Sequence, residues 1–465
     1  MADQRHSENS SNQMPSTAAA QGMSQASGKE RESNNTSPVS MFESLRIRNF
    51  QYLSLGGFFT SAAAWLQMTT LSWVVYDLTG SGTILGAING IRIIPMLLVT
   101  PMVGVLADRI SRQHIVSTSQ FALFVLTFLL AIDLALDTVQ TWHLFLFVIL
   151  VAIANTVNMP ARGALVYDVV PRHMLPNAIA WNQIATSVSR AVGPMLAGIV
   201  IVFAGAATNF FIQSVAYLCI MATILMIRLP AATRAKTAPT HAFFREMREG
   251  FAFVGNNPNA RMLFVISLVS PLFLIPTHQA LMPILAKQMF HSGAFALGIM
   301  FSAIGVGAIF GGLFTASISR VDKRGLLQIV SLIIFALSHL GFALMGFLIG
   351  NVYYVVPFLL ITGASEAVYM ATNQTVLQLV APDHMRGRVT SVLQLGQIVW
   401  AGTTFLSGIG ADLVGASTMA IGQSAIAIIF AVAILAFSPT MRNLRLSWLG
   451  EQAGYGEHAA APRTE

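Results

Sequence analysis

Five ionisable side chains stand where a chain tolerates them least: Arg92, Arg190, His278, His339 and Glu366 each fall inside a long apolar run. Moving a charged side chain from water into hydrocarbon costs about 3 kcal/mol or more, so each such residue has either a partner or a task. A carboxylate such as Glu366 can bind and release a proton or recognise a cation, and it can equally be a structural acid paired with an arginine or a backbone group. Imidazoles such as His278 and His339 relay protons, or pack with their nitrogens hydrogen-bonded. A guanidinium keeps its charge, so Arg190 either gates the structure, attracts an anion or neutralises Glu366. For Arg92 the same alternatives stand open.

The elements that hold these groups must be membrane-spanning helices. The chain has 465 residues, 55% hydrophobic and 10% charged, whereas a soluble domain carries about 25% charged residues. Runs of 18 or more nearly uncharged residues recur along the sequence, each able to cross about 30 Å of hydrocarbon as a helix. Twelve spans are expected, at about 51–76, 83–107, 114–136, 142–165, 177–203, 208–228, 261–285, 295–318, 326–348, 353–378, 389–411 and 416–437. The expected fold is an all-α polytopic membrane protein with two six-helix halves, 45–228 and 261–437. A polar linker, 229–260, joins them and contains an amphipathic stretch, HAFFREMREGFAFV, suited to the membrane surface. Residues 1–44 are rich in Ser, Asn, Gln and Ala and form a disordered tail, and 438–465 form a second tail.

Charge placement orients the chain. All but three of the 26 Lys and Arg residues fall in the tails and on one set of alternate loops, the exceptions being Arg92, Arg190 and Lys287. By the positive-inside rule both termini are cytoplasmic. The net charge of +7 therefore reports orientation and implies no nucleic-acid partner. Asp77 and Asp412 lie at expected outer helix ends, where solvated caps are the default. The single cysteine, Cys219, excludes a disulfide framework and a cysteine-based metal site. No phosphate-binding loop, zinc-protease motif or nucleophile elbow occurs, so no catalytic residue, metal ligand or cofactor is assigned.

The two halves repeat one another at an offset of 211 residues. MPARGALVYDVVPRHM at 159–174 aligns with MATNQTVLQLVAPDHM at 370–385, and the same shift relates Arg109 to Arg320. Such a duplication implies halves related by an axis along the membrane normal, with a binding site between them near mid-depth.

These residues resemble the major facilitator superfamily over about residues 45–440. The stretch GVLADRISRQ, 104–113, is similar to the superfamily signature between helices 2 and 3, with Ser111 where glycine is usual. VDKRG at 321–325 is similar to its weaker second copy, in which Ser319 replaces the counterpart of Asp108. LTGS at 78–81, LVAPDHMRGRV at 379–389 and GPMLAG at 193–198 further resemble the branch of enterobactin exporter-like and transmembrane secretion effector proteins. The resemblance implies a conformational latch of Gly104, Asp108, Arg109 and Arg112, with Arg162 and Asp168 as partners, although the same charges could serve topology alone. SRAVGPMLAG, 189–198, is similar to the antiporter signature of helix 5, which marks Ser189, Arg190, Gly193, Pro194 and Gly198. Small residues there permit close helix contact, whatever the direction of transport.

In that superfamily helices 1, 4, 7 and 10 line the central cavity. The repeat then pairs Glu366 with Asn155, and His278 with Gln67, as two polar pairs expected to face one cavity beside Arg92. The implied function is secondary active transport by alternating access, with proton-coupled efflux of a small amphipathic molecule preferred to uptake by symport. The implied partners are substrate, protons and membrane lipid, the implied form is a monomer, and the implied place is the cell membrane. A polytopic enzyme or a sensor would need clustered catalytic groups or a folded output domain, and neither is visible in the sequence.

Overall fold

A computed structural model of the chain describes residues 43–227, 241–290, 293–318, 321–382 and 395–445, together with 385, 389 and 392; at 101, 104–109, 172, 241–247, 378, 395 and 440 it describes the backbone alone. Among the described residues every regular element is helical. Nine helical segments are long and apolar enough to cross a membrane by length and composition. One of these, Leu175–Leu225, is two spans in one, because Gly205 reverses the chain at φ 82° inside it. With Arg48–Thr79 and Leu395–Val414 the segments number twelve among the described residues.

We number them in chain order. In the first half α1 is Arg48–Thr79, α2 comprises Gly82–Gly90 and Ile93–Arg109, α3 is Arg112–Ala135, α4 is Thr141–Val169, and α5 and α6 are 175–204 and 206–225. In the second half α7 is Pro258–Gln288, α8 Gly293–Ser317, α9 Arg324–Ile349, α10 Val352–Val380, α11 Leu395–Val414 and α12 Ala416–Phe437. The linker helix His241–Asn256 runs between them, and Val254 near its end joins Ala260 and Val392 in a small apolar cluster. Both described ends of the chain lie on one face of the bundle. Ser44 donates to Asn177 at the start of α5, and the Gly325 amide donates to Leu444.

The outer surface is apolar. Large side chains such as Phe203, Leu413 and Phe437 are more than three-quarters exposed. In water such a surface would aggregate; against lipid it costs nothing.

Small residues decide how the halves meet. A Cβ built on Gly82, Gly86 or Gly90 of α2 would lie 2.8, 2.8 or 2.9 Å from the carbonyl oxygens of Gly408, Thr404 and Ala401 on α11. A Cβ on Gly198 of α5 would lie 2.8 Å from the Ala294 carbonyl on α8, and one on Gly305 would lie 2.5 Å from the Ala191 Cα. Lipid tails are as apolar as leucine, so close backbone packing replaces the hydrophobic drive that joins helices in water. Both contacts run from mid-depth toward the face away from the termini. That far face is closed, whereas α4 and α10 make no extensive contact with the opposite half among the described residues. The gap between the halves therefore opens on the terminus-bearing face.

The seventh span is irregular. Pro271 and Pro276 cannot donate to the helical ladder, and π-helical turns cover Ser270–Leu274 and Thr277–Leu281. The Thr403 hydroxyl of α11 donates to the Pro271 carbonyl at 2.7 Å. These wide turns set the direction of His278.

Gly86→Val should force α2 from α11 and open the far face. With Cys219→Ser as background, a cysteine at Ile284, now 2% exposed, should become reactive to a membrane-impermeant maleimide. Continued protection would show that this close approach does not hold the face shut.

Candidate transport site

One ion pair joins the two halves at mid-depth. Arg190 of α5 donates through Nη2 to Glu366 Oε2 of α10 at 2.9 Å. The Arg190 guanidinium also lies 5.5 Å from the centre of the Trp65 ring on α1, a cation–π contact. Glu366 is 8% exposed. The pair is reached because α5 and α8 approach at Ala191 and Gly305, while Gly363 of α10 faces the Ile304 carbonyl of α8 closely enough to exclude any side chain. A bulkier residue at either glycine would carry the acid away from its base. Of the alternatives open in the sequence, this conformation holds Glu366 paired with an arginine.

The other polar candidates do not share that position. Gln67 is buried inside the first half, where its Oε1 accepts from the Tyr217 hydroxyl of α6 at 3.1 Å. His278 is buried inside the second half against His339, with ring centres 4.7 Å apart. The expectation that Gln67 and His278 face one cavity beside Glu366 is therefore corrected for Gln67, which Tyr217 holds inside the first half; His278 packs against His339 within the second half, on the side of that half that carries Glu366. Asn155 of α4 is half-buried and has no hydrogen-bond partner among the described residues. Arg92 occupies the break between the two arms of α2, half-buried and likewise unpaired among the described residues.

On the terminus-bearing face the expected latch is only partly assembled. Arg112, at the start of α3, donates through Nη1 to both oxygens of Asp168 on α4, at 2.7 and 2.8 Å. This links neighbouring helices of one half and does not cross to the other. The side chains of Gly104, Asp108 and Arg109 lie outside the described residues. Arg162 does not join Asp168. It lies against Gly57 of α1, where any Cβ would collide with its guanidinium, near Asn182 of α5. The helix 5 motif works as close packing: Gly193 abuts Trp65 of α1, Gly198 abuts α8, the Pro194 carbonyl faces Gly298, and the Ser189 hydroxyl donates to the Ala185 and Phe58 carbonyls.

The far face carries a lock that sequence reasoning missed. Asp412 of α11 accepts from the Gly82 amide at 2.7 Å, the Thr83 amide at 2.8 Å, the Thr83 hydroxyl at 2.7 Å and the Ser81 hydroxyl at 2.9 Å. A carboxylate of one half thus caps the N-terminal end of α2 in the other, where unpaired amides and the helix dipole favour negative charge. Beside it Lys287 of α7 pairs with Asp77 of α1 at 2.6 Å and lies over the Trp73 and Tyr76 rings. Asp77 and Asp412 are therefore joints between the halves and not free solvated caps. The available sequence signal was Gly82, Gly86 and Gly90, spaced by four and opening at a Ser-Gly-Thr helix start.

Two helical halves closed on one face and open on the other, with a charged pair between them, define a membrane transporter of the major facilitator class. The family model described as transmembrane secretion effector matches residues 39–447, and the chain belongs to that family. The Staphyloferrin A transporter of Staphylococcus aureus (strain NCTC 8325 / PS 47) is 21% identical over 371 residues, covering 78% of this chain and 90% of that protein. The Multidrug efflux pump Tap of Mycolicibacterium fortuitum is 24% identical over 393 residues, covering 82% and 93%. A bacterial homologue of the iron transporter ferroportin, solved in an inward-facing state, shares the fold with a TM-score of 0.66 at 14% identity, covering 83% of this chain and 98% of that one.

The ion pair should behave as a coupled unit. Glu366→Gln and Arg190→Gln should each lower the thermal stability of the purified protein, and the double variant should lose less than the sum. The coupling energy should be about 1–3 kcal/mol. Strictly additive losses in a double-mutant cycle would show that the contact contributes nothing to this conformation.

Proposed function

We propose that the protein is a proton-driven exporter of small amphipathic molecules, working by alternating access in the cell membrane as a monomer with both termini in the cytoplasm. The halves 45–228 and 261–437 rock about the Arg190–Glu366 pair. The conformation described above is then the one open to the cytoplasm. The observation that carries this reading is the position of the pair: it crosses the halves at the middle of α5 and α10, the depth where a substrate would bind. Opening that face requires the halves to separate at Asp412 and Lys287, and the pair is strained or broken as they turn. A proton or a charged substrate group can then replace one of its partners. The similarity to a Staphyloferrin A transporter and to a multidrug efflux pump supports transport of small molecules, and the second of these supports efflux.

The unpaired Arg92 and Arg162, both half-buried among the described residues, favour a substrate carrying an acidic group over a pure cation. An uncompensated guanidinium in a low-dielectric gap repels cations and attracts anions. The latch role proposed for Gly104, Asp108, Arg109 and Arg112 fits the opposite stroke, in which the cytoplasmic side closes.

Cells expressing wild type or Glu366→Gln, loaded with the anionic dye fluorescein or the cation ethidium, with and without a protonophore, test this reading. Wild type should lower fluorescein accumulation, and both the variant and the protonophore should abolish the effect. Selective lowering of ethidium would reverse the charge preference. Unchanged levels of both dyes with well-inserted wild type would count against export of amphipathic molecules.

A further inference from the structure

The ion pair leaves a question of chemistry: in the cytoplasm-open conformation Glu366 already serves Arg190, so the group that carries a proton is sought beside it. One helical turn earlier on α10 stands Thr362, whose hydroxyl lies 3.5 Å from His339 Nδ1 and 2.9 Å from the Ser338 hydroxyl. Residues four apart on a helix share a face, so Glu366 and Thr362 together border the imidazole pair. The His278 and His339 rings lie 4.7 Å apart, and their Nε2 atoms are both buried without a hydrogen-bond partner among the described residues. A buried ring nitrogen without a partner carries an uncompensated desolvation penalty, and two of them side by side are hard to explain as packing. Phe335 and Phe342 enclose His339, and the π-helical turn Thr277–Leu281 carries His278. π-turns inside helices are frequent at functional sites.

We propose that His278 and His339 form the station that carries the exchanged proton, holding one proton between two imidazoles when Glu366 is free of Arg190 and releasing it when the ion pair re-forms. The inference rests on the alternating-access reading above and names the group that reading leaves open.

The charges around the pair give the direction. Arg190 from α5 and Glu366 from α10 act electrostatically on the imidazoles. From α12, Gln423 accepts from Thr277 beside His278 and is neutral; the α9 neighbours are Phe335, Phe342 and Ser338. With Glu366 bound to Arg190, its negative charge is already balanced and an imidazolium in this dry site finds no counter-charge. When the halves close on the cytoplasmic side and part on the far side, Glu366 is released and can balance one imidazolium. Two are excluded by their mutual repulsion. Proton affinity is then high when the site faces outward and low when it faces the cytoplasm, which is the order a proton-driven exporter needs. By linkage, lowering the pH must favour the outward-open form.

Distance measurements between spin labels test this with no transported compound present. In a Cys219→Ser background, labels at the exposed Leu78 of α1 and Leu413 of α11 report the far face directly. In the wild-type background the longer-distance population should grow several-fold between pH 8 and pH 5, the range in which histidine titrates. The H278F/H339F double variant should keep the short distance throughout. Glu366→Gln should show the longer population at both pH values. If the phenylalanine variant does not fold, His278→Gln and His339→Gln, which keep a polar amide, should each abolish the pH response. A pH response that survives in the histidine variants, or a wild-type distance indifferent to pH, would overturn the proposal. Failure of dye export with an intact, histidine-dependent pH response would overturn the export reading and leave the proton station standing.

Discussion

A charge in a low-dielectric interior must be answered by another charge, and the Arg190–Glu366 pair is where the two halves answer each other. Neither partner can be withdrawn without leaving the other buried and alone. The rest of the bundle serves that requirement: small residues at Ala191, Gly305 and Gly363 bring α5, α8 and α10 close enough for one side chain to span the gap. The pair is weak evidence for overall stability, since apolar residues of similar volume would cost less to bury. In the proposed cycle its value lies in being replaceable: a proton can neutralise Glu366 in place of Arg190, and a charged substrate group can take the place of one partner.

The far-face lock is built from different physics. Asp412 holds the amides of a helix end and two hydroxyls, groups that water can also satisfy. Once water enters, each lost contact is replaced by hydration, so the lock closes the face without committing it. The mid-depth pair has no such alternative away from water. A transporter needs both kinds of contact: one that yields when the halves move, and one that yields only when something chemically equivalent arrives. The Arg112–Asp168 pair belongs to neither class, since it ties α3 to α4 within one half and keeps that half rigid as it turns.

At the 211-residue offset the two halves carry different chemistry. Where the second half has Glu366, the first has Asn155; where the second has His278, the first has Gln67 held by Tyr217. Titratable groups are thus gathered on α7, α9 and α10, and unpaired positive charge on α2 and α4. A proton and an acidic substrate would meet opposite walls of the same gap. In the proposed cycle this division would let them compete through the charge of Glu366 without occupying the same atoms.

Composition determined the fold class, because 465 residues with 10% charge and recurrent long apolar runs call for helices in lipid, and the 211-residue repeat pointed to two halves. The sequence also singled out Glu366 and Arg190, since a charge inside an apolar run is conspicuous wherever it points. What it could not decide was who partners whom. The Arg190–Glu366 contact spans 176 positions and the contacts of Asp412 with Ser81, Gly82 and Thr83 span about 330, and no local pattern encodes a separation of that kind. Nor could it tell an aspartate solvated at a helix end from one that caps a helix in the other half. Helical phase placed Gln67 and His278 inside their own halves, and that phase depends on where Gly205, Pro271 and Pro276 turn or widen the chain. Only the tertiary structure fixes those rotations, because they are set by what the neighbouring helices leave room for.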